Sequence, residues 1–220
     1  MNTIHLIQSG LSDYSQIWDL QKELHEKVTL SRSENYLIIT EHNPVITIGK
    51  SGNINNLLAN ESFLKSKGIE FIKIDRGGDI TFHGPGQLVF YPILNLSAFK
   101  EDVHWYLRKL EEIVINTLKT YEISGEKIPG LTGVWVNDNK ICAIGVKVTR
   151  WVSMHGFALN LSTDLHYFKH FVPCGIPDKG ITSILKETGN NPDKNDVIKV
   201  LCSNFEKNLN VKIAKLPPGE

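Results

Sequence analysis

Residues 76–94 read Arg-Gly-Gly-Asp-Ile-Thr-Phe-His-Gly-Pro-Gly-Gln-Leu-Val-Phe-Tyr-Pro-Ile-Leu. Glycine-rich turns bracket a short β-prone run at 80–82, and a second apolar run at 88–94 follows directly. Strand-like runs separated by glycine and proline turns are typical of a β-rich region. Within the second run, Pro92 predicts an edge strand or a bulge, because proline has no N–H to donate to a sheet. The stretch therefore predicts strands at the centre of the chain.

Further strands and helices are predicted on both sides of this stretch. Apolar residues at Ile17, Leu20, Leu24 and Val28 have the spacing of an amphipathic helix. Similar patterns predict strands at 4–8, 36–40, 45–48, 69–74, 133–136, 140–150, 155–161 and 211–213, and helices at 14–28, 61–67, 103–121 and 196–209. Because strict alternation of strand and helix is absent, we expect an α+β fold with a mixed, mostly antiparallel sheet flanked by helices.

Length and composition narrow the class of protein. The 220 residues predict one domain, 1–220, with a loose tail at 215–220. The 24 Lys and Arg residues balance the 24 Asp and Glu residues, which argues against a nucleic-acid-binding protein. No apolar run approaches the ~20 residues that cross a bilayer, and the first residues lack the pattern of a signal peptide. With three cysteines, too few for a disulfide framework, we expect a cytoplasmic protein that does not bind membranes.

Cys174 is the candidate nucleophile of the chain. It lies in the segment Phe-Val-Pro-Cys-Gly-Ile-Pro at 171–177, where two prolines and a glycine predict a tight loop. A lone cysteine is more often a small buried hydrophobic residue, but such a loop is a poor place for one. A cysteine attacks as the thiolate, so it needs a cationic or basic neighbour. Lys140 opens an apolar strand and could supply that charge, although a solvated lysine after a turn is the simpler interpretation of Lys140 alone.

The glycines around residues 76–87 suggest a site where backbone approaches a ligand. They would leave amide N–H groups exposed to an acyl group or a carbonyl oxygen. A nucleotide site is not indicated, because a Gly-Lys-Ser/Thr ending is absent. His83 and His155 each precede a glycine, and each is either a proton carrier, a polar wall of a pocket or a structural hydrogen-bonding group. His166 and His170 have a metal-ligand spacing, but no ligand motif accompanies them and we expect no metal site.

Five segments together resemble one family. They are 76–88, Gly133-Val-Trp-Val136, Lys140-Ile-Cys-Ala-Ile-Gly-Val-Lys147, His155-Gly-Phe-Ala-Leu-Asn160 and Pro173-Cys-Gly-Ile176. In order and spacing, from about residue 36 to 184, they resemble the lipoyl(octanoyl) transferases, the octanoyl-[acyl-carrier-protein]:protein N-octanoyltransferases. The resemblance implies a fold like that of the biotin and lipoyl protein ligases.

The resemblance also implies roles for individual residues. It carries Cys174 over as the nucleophile that forms an acyl thioester and Lys140 as the residue that tunes it. His155, which precedes Gly156, is a further candidate for a supporting role. The substrate site would be lined by Arg76, Gly77, Gly78, Asp79, Ile80, Thr81, Phe82, His83, Ala143, Ile144, Gly145, Gly156, Phe157 and Ala158. Asp79 and Cys142 depart from the family pattern, which has glutamine and alanine there. A core position is the simpler interpretation of Cys142, and a redox contact with Cys174 is the alternative.

The implied reaction moves an octanoyl or lipoyl group from acyl carrier protein to a lysine of a lipoyl domain. The acceptors would be the lipoyl domains of 2-oxoacid dehydrogenase complexes and the glycine cleavage H protein, with no cofactor and a monomeric enzyme. Because the thioester donor is already activated, ATP is unnecessary. An ATP-dependent lipoate-protein ligase and a lipoyl-domain amidotransferase are the alternatives. Since both partner proteins are expected to be acidic, we expect a basic rim at the site, with Lys147, Arg150, Lys169 and Lys179 as candidates.

Overall fold

The computed structural model describes residues 2–172 and 179–215. Its twelve strands in this part of the chain are β1 (Asn2–Ser12), β2 (Tyr36–His42), β3 (Val45–Ile48), β4 (Glu70–Lys73), β5 (Ile80–His83), β6 (Gln87–Ile93), β7 (Glu126–Ile128), β8 (Leu131–Val136), β9 (Asn139–Thr149), β10 (Val152–Asn160), β11 (Gly180–Ile181) and β12 (Val211–Lys215). Its five α-helices are α1 (Tyr14–Ser31), α2 (Glu61–Ser66), α3 (Val103–Leu118), α4 (Ile184–Thr188) and α5 (Lys194–Leu209). The loose tail predicted at 215–220 lies outside the described residues except for Lys215.

A large mixed sheet runs through the molecule in the order β12-β1-β2-β6-β10-β9-β8-β7. The pairs β1–β12 and β1–β2 are parallel, whereas β2–β6, β6–β10, β10–β9 and β9–β8 are antiparallel. The short strand β11 lies parallel to the first residues of β9, where Ile181 pairs with Lys140. The predicted mixed, mostly antiparallel sheet is therefore what the backbone forms.

Helices cover both faces of this sheet. Side chains alternate between the two faces along a strand, so the central strands present apolar residues on each face. Leu37 and Phe90 point to one face, where they pack in a core with side chains of α3 and α5. Ile38 and Val89, their neighbours in sequence, point to the other face and pack against α1. The runs in β2 and β6 are continuously apolar for this reason, since a strand that is buried on both faces has no polar side to present.

A second, three-stranded sheet has the order β4-β3-β5. Its core contains Ile46, Phe82 and Phe168, and α2 contributes Leu64 to the same cluster. The ring of Phe82 stacks on that of Tyr167 with centroids 4.4 Å apart. β5 thus belongs to the small sheet, whereas the next strand in sequence, β6, lies in the large sheet.

Short polar side chains cap the N-termini of helices α2 to α5, as the sequence indicates for α3. The Asp102 carboxylate accepts a hydrogen bond from the Trp105 N–H at 2.9 Å, which satisfies one of the unpaired donors of the first turn. Asp13 precedes α1, but its carboxylate accepts from the side chain of Asn43 instead of capping the helix. In the described part of the chain, no helix is long and apolar enough to span a membrane.

Pro92 was predicted to lie in an edge strand or at a bulge. The structure places it in β6, a central strand between β2 and β10, so the edge-strand prediction is wrong. The ladder between β6 and β10 nevertheless stops at the pair of Phe90 and Phe157. Beyond it, the Pro92 carbonyl accepts a hydrogen bond from the Ser153 hydroxyl at 2.8 Å. A proline is tolerated here because one side of the strand has already lost its partner.

Candidate active site

A cavity of about 380 Å³ lies between the α1-covered face of the large sheet and strand β5 of the small sheet. Its size falls in the range of small-molecule sites in proteins. Strands β5, β6, β9 and β10 each supply part of the wall, and the 76–79 loop and α1 close it. The lining residues are Tyr14, Ser51, Arg76, Gly78, Asp79, Ile80, Thr81, His83, Val89, Tyr91, Gly130, Leu131, Thr132, Lys140, Ala143, Ile144, Gly145, His155, Gly156, Phe157 and Ala158.

Most of the residues predicted for the site line this one cavity. Among the predicted positions that the structure describes, Gly77 and Phe82 alone are not part of its wall. Phe82 is fully buried in the core of the small sheet, because side chains alternate along β5 and its neighbours Thr81 and His83 point the other way. The predicted nucleophile, Cys174, lies outside the described residues.

Lys140 is nearly buried at the start of β9, with 6% of its surface exposed. Its ammonium nitrogen lies 4.6 Å from the centroid of the Trp135 ring, a distance typical of a cation–π contact. Gly133 lies beside the same side chain, and a Cβ added there would come within 3.3 Å of Lys140 Cε. Glycine at 133 therefore leaves room for the lysine stem, and the Trp135 face lies next to its charged end.

Arg76 forms a second positive charge in the cavity wall. Its Nη2 donates to both the carbonyl and the hydroxyl of Thr47, each at 3.0 Å, and its Nη1 donates to the Gly77 carbonyl. A Cβ at Gly49 would come within 2.3 Å of the Gly78 carbonyl oxygen and 2.9 Å of Arg76 Nη1, and one at Gly145 within 2.8 Å of the Gly77 carbonyl oxygen and 3.1 Å of Arg76 Cδ. Glycine is therefore required at both positions by the close approach of the loop that carries Arg76, and the hydrogen bonds hold the guanidinium at one place in the wall.

The glycine turns differ from the expectation that they expose amide groups to a ligand. The Gly77 N–H donates to the Val146 carbonyl at 2.9 Å. The Gly86 N–H donates to the Glu41 carboxylate at 2.8 Å, and the Gly86 carbonyl accepts from Leu161 and other donors. A Cβ at Gly86 would also come within 2.8 Å of the Ser162 backbone. These glycines therefore serve close packing of the chain on itself.

The Asp79 carboxylate binds the 49–56 loop. It accepts hydrogen bonds from the Asn53 N–H at 3.0 Å and from the Asn56 side-chain amide. The backbone of Gly49 also donates to the Asp79 carbonyl at 3.3 Å. Asp79, where the family pattern has glutamine, thus has a structural role. Its carboxylate holds the 49–56 loop in place, and this loop contributes Ser51 to the cavity wall.

His155, a residue of the cavity wall, forms a cluster with Asp75 and Lys147. The Asp75 carboxylate bonds with His155 Nε2 at 2.9 Å and with Lys147 Nζ at 2.6 Å. The hydrogen bond from His155, followed by that from Lys147, lowers the pKa of Asp75. Burial lowers the pKa of His155, and Asp75 opposes this only in part. The cluster therefore contains a carboxylate and a neutral imidazole at neutral pH.

Two further histidines and two tyrosines pack together at the side of the cavity near α1. The Tyr14 ring stacks on His83 with centroids 5.7 Å apart, and His42 Nε2 bonds with the Tyr91 hydroxyl at 2.8 Å. Burial lowers the pKa of His42 to about 4, and burial lowers the pKa of His83 well below its usual value. Burial likewise raises the pKa of both tyrosines. All four side chains are uncharged at neutral pH.

Several wall residues were not anticipated from the sequence. Tyr14 was assigned only to a helix, and Tyr91 and Val89 only to a strand, because nothing in their local pattern indicates which sheet face holds a ligand. Asp75, which bonds with the wall residue His155, carried a usable signal, since it directly precedes the segment that begins at Arg76. Gly130, the first two residues of β8 and Ser51 are brought to the cavity by tertiary contacts.

The remaining predicted groups have these positions. Cys142 is fully buried in the core beneath α3 and α5, and burial raises its thiol pKa. His166 is exposed and bonds with Asp164, and His170 packs on Phe63. No group of three or more metal-binding side chains occurs in the described ranges. Of the basic-rim residues, Lys147 pairs with Asp75 and Lys179 with Asp138, whereas Arg150 and Lys169 are exposed.

The described chain stops at Val172 and resumes at Lys179 next to the cavity wall. The Val172 N–H donates to the Asn56 carbonyl at 2.8 Å, in the loop that Asp79 binds. Two residues after Lys179, Ile181 pairs with Lys140. The described residues on both sides of the 173–178 segment thus contact elements that line the cavity.

Known proteins that are similar to this chain fall into one group. Residues 13–206 match the family described as the lipoyl protein ligase A/B catalytic domain. The chain is 49% identical to an octanoyltransferase of Flavobacterium psychrophilum over 203 residues, which cover 85% of this chain and 88% of that protein.

Two solved structures show the fold. A bipartite lipoate protein ligase from Thermoplasma acidophilum, studied with its E2 lipoyl domain, is 16% identical with a TM-score of 0.76, covering 99% of this chain and 89% of its own. A biotin protein ligase from Aquifex aeolicus is 16% identical with a TM-score of 0.56, and the match covers 94% of this chain and 70% of the ligase chain. The predicted family and the predicted fold class are both confirmed.

Proposed function

This chain belongs to the lipoyl protein ligase A/B catalytic domain family, and we infer that it is an octanoyltransferase of protein lipoylation. The observation that carries this conclusion is its 49% identity to an octanoyltransferase over most of both chains. The enzyme is an acyltransferase, and its acceptor is a lysine of a lipoyl domain. One catalytic domain, 1–220, acts as a monomer with an octanoyl-acyl carrier protein as donor.

The cavity wall supports the binding of an acyl chain. Ile80, Val89, Ala143 and Ala158 are apolar residues of the wall around the 380 Å³ space. Each methylene that leaves water for such a wall contributes about 0.8 kcal/mol, so an octanoyl chain could gain about 5 kcal/mol. The predicted wall residues, from Arg76 to Ala158, are proposed to hold this chain, with Lys140 at the reacting end.

In the first half-reaction, the Cys174 thiolate attacks the carbonyl carbon of the donor thioester. The bond to the carrier sulfur breaks, and the carrier thiolate takes a proton from the Lys140 ammonium. One thioester has replaced another, so the step is close to neutral in free energy. Lys140 first stabilises the Cys174 thiolate by its charge, since an opposite charge within about 4–6 Å favours the ionised thiol.

In the second half-reaction, the amine of the acceptor lysine attacks the acyl-enzyme. A C–N bond forms, the C–S bond to Cys174 breaks, and the amine proton passes to the neutral Lys140 amine. The thiolate and the ammonium are thereby restored. An amide is more stable than a thioester, so the overall transfer is favourable without a nucleotide.

ATP dependence tests the reaction class. Purified enzyme, octanoyl-carrier protein and a lipoyl domain are incubated with and without ATP and Mg²⁺, and octanoylated lipoyl domain is measured by intact mass. We expect equal rates in both mixtures and no product from free octanoate with ATP. Product formed from free octanoate only when ATP is present would identify a ligase instead.

A further inference from the structure

Asn160 lies at the point where β11 replaces β10 beside β9. The last residue of β10 paired with β9 is Leu159, which lies opposite Cys142. Closer to the start of β9, Ile181 of β11 lies opposite Lys140. Asn160 is the next residue of β10, it is 4% exposed, and its side chain therefore lies at the junction of three strands.

One side of the Asn160 amide binds β11. Its Nδ2 donates to the Thr182 carbonyl at 2.9 Å. The Thr182 N–H in turn donates to the Lys140 carbonyl at 3.0 Å. Two successive hydrogen bonds thus connect the end of β10 to the backbone of Lys140 through the residue that follows β11.

The other side of the Asn160 amide binds the wall that carries His83. Its Oδ1 accepts from Gln87 Nε2 at 2.9 Å. The Thr163 hydroxyl lies 3.3 Å from the same oxygen and donates its proton to the Gly86 carbonyl at 3.0 Å. Gln87 Nε2 also donates to the Phe82 carbonyl, and Gln87 Oε1 lies 2.7 Å from His83 Nδ1. Because backbone carbonyls only accept, these contacts fix the orientation of both amides and place the Nδ1 proton on His83.

The same residues surround a small second cavity of about 10 Å³. Lys140, Gln87, Asn160 and Ile181 all lie on its wall. The side chains of the hydrogen-bonded chain are therefore close to the lysine as well as connected to its backbone. A buried polar chain in which every member is paired makes the local structure rigid.

We propose that Asn160 is a positioning residue, which holds β11 against Lys140 and so sets where Lys140 lies relative to the segment that carries Cys174. β11 begins at Gly180, six residues after Cys174 in the sequence. The inference depends on the proposed roles of Cys174 and Lys140. Asn160 itself does not touch the reacting atoms.

Charged groups on the neighbouring elements include two ion pairs, Glu111 of α3 with Arg108 at 2.7 Å and Lys179 just before β11 with Asp138 just before β9. The Glu187 carboxylate of α4 accepts a hydrogen bond from the Thr182 hydroxyl. The variants below leave these five residues unchanged, so a change in thiol reactivity is not attributable to a lost charge.

The test uses Asn160→Leu, which keeps the approximate size of the side chain and removes its hydrogen bonds. The alkylation rate of Cys174 is measured from pH 6 to 9 with peptide mapping, which separates Cys174 from the half-buried Cys202. We expect alkylation at pH 7 to slow about tenfold, corresponding to a rise of about one unit in the thiol pKa. The kcat of octanoyl transfer should fall by a similar factor. Gln87→Met removes the bond to Asn160 together with the bonds to the Phe82 carbonyl and His83, and leaves the bond from Asn160 to Thr182 in place. It should act in the same direction to a smaller extent and replaces Asn160→Leu if that variant does not fold.

Asn95→Leu is the matched control. Asn95 is equally buried at 5% exposure, and its Nδ2 donates to the Arg32 carbonyl at 2.9 Å, outside the cavity wall. This variant should lose stability but alkylate like wild type. Wild-type alkylation and kcat in both Asn160→Leu and Gln87→Met, or equal slowing in Asn95→Leu, would overturn the proposal. Full transfer by Cys174→Ala would instead reject the proposed function itself.

Discussion

The Lys140 ammonium lies over the ring of Trp135, 4.6 Å from its centroid, and both side chains are nearly buried. A buried ammonium is costly unless something replaces its hydration. The face of the indole carries partial negative charge and stabilises a cation by about 2 kcal/mol when water is excluded. The relationship between Lys140 and Trp135 therefore explains how a lysine keeps one orientation at the end of the acyl cavity.

Lys140→Ala should slow the alkylation of Cys174 by iodoacetamide at pH 7 at least tenfold. The physical reason is the loss of the positive charge that favours the thiolate, which raises the thiol pKa by a unit or more. The rate is measured as a function of pH by mass spectrometry. Lys199→Ala, a change at an exposed lysine of α5, is the control and should behave like wild type. An unchanged pH profile in Lys140→Ala would remove the lysine from its proposed role.

Trp135→Leu should reduce octanoyl transfer more than Trp135→Phe does. Both changes shorten a fully buried side chain and cost folding free energy, on the order of 2–4 kcal/mol. Phenylalanine, however, retains an aromatic face for the Lys140 ammonium. The comparison is made at equal folded fraction, verified by circular dichroism, with kcat as the readout. Equal kcat values for the two variants would show that the aromatic face has no part in the reaction.

Acid should destabilise the enzyme through its buried histidines. Burial lowers the pKa of His42 to about 4, whereas an unfolded histidine has a pKa of about 6.5. Between about pH 6.5 and pH 4, His42 is therefore protonated in the unfolded chain but not in the folded chain. The free energy of unfolding decreases as the pH falls through this range. The difference of about 2.5 units corresponds to about 3 kcal/mol.

Urea unfolding at pH 7, 5.5 and 4.5 measures this effect. His42→Gln keeps a partner for the Tyr91 hydroxyl and should flatten the pH dependence of the unfolding free energy. His104→Gln, at an exposed position of α3, should leave the dependence unchanged. The explanation fails if His42→Gln and wild type lose the same free energy on acidification.

Ala143→Leu should shorten the acyl chain that the enzyme prefers. The extra carbons would occupy part of the 380 Å³ cavity that Ala143 lines. We expect transfer of octanoyl to fall at least tenfold relative to transfer of butanoyl, since three buried methylenes are worth about 2 kcal/mol. Competition between the two donors gives the ratio of kcat/KM. Ala98→Leu, at an exposed position, is the control, and an unchanged ratio in Ala143→Leu would place the acyl chain elsewhere.

The sequence predicts the secondary structure well where the local pattern decides it. Apolar spacing locates α1 and α3, and Asp102 caps α3 as its position indicates. The edge-strand prediction for Pro92 is wrong because the proline is accommodated where the β6–β10 ladder stops, and no local sequence pattern shows that position. The glycine turns between the two apolar runs at 80–82 and 88–94 also do not show that β5 and β6 belong to different sheets.

The site residues that the sequence predicts are those in its motifs, whereas the other wall residues reach the cavity through tertiary packing. The motif residues Lys140, Ala143 and Ala158 meet in one cavity because β9 and β10 are neighbours in register. Tyr14 and Tyr91 reach the same cavity from a helix and another strand, which requires knowledge of the tertiary fold. The glycines at 77 and 86 were interpreted as ligand-binding, but their amides bind Val146 and Glu41.

The central claim is that Cys174 carries the octanoyl group during transfer. Enzyme is incubated with octanoyl-carrier protein alone, quenched in acid, and examined by intact mass and peptide mapping. The account predicts one added octanoyl group on the peptide that contains Cys174, removed when a lipoyl domain is added and absent in Cys174→Ala. Product formation at the wild-type rate by Cys174→Ala, without any acylated enzyme, would contradict it.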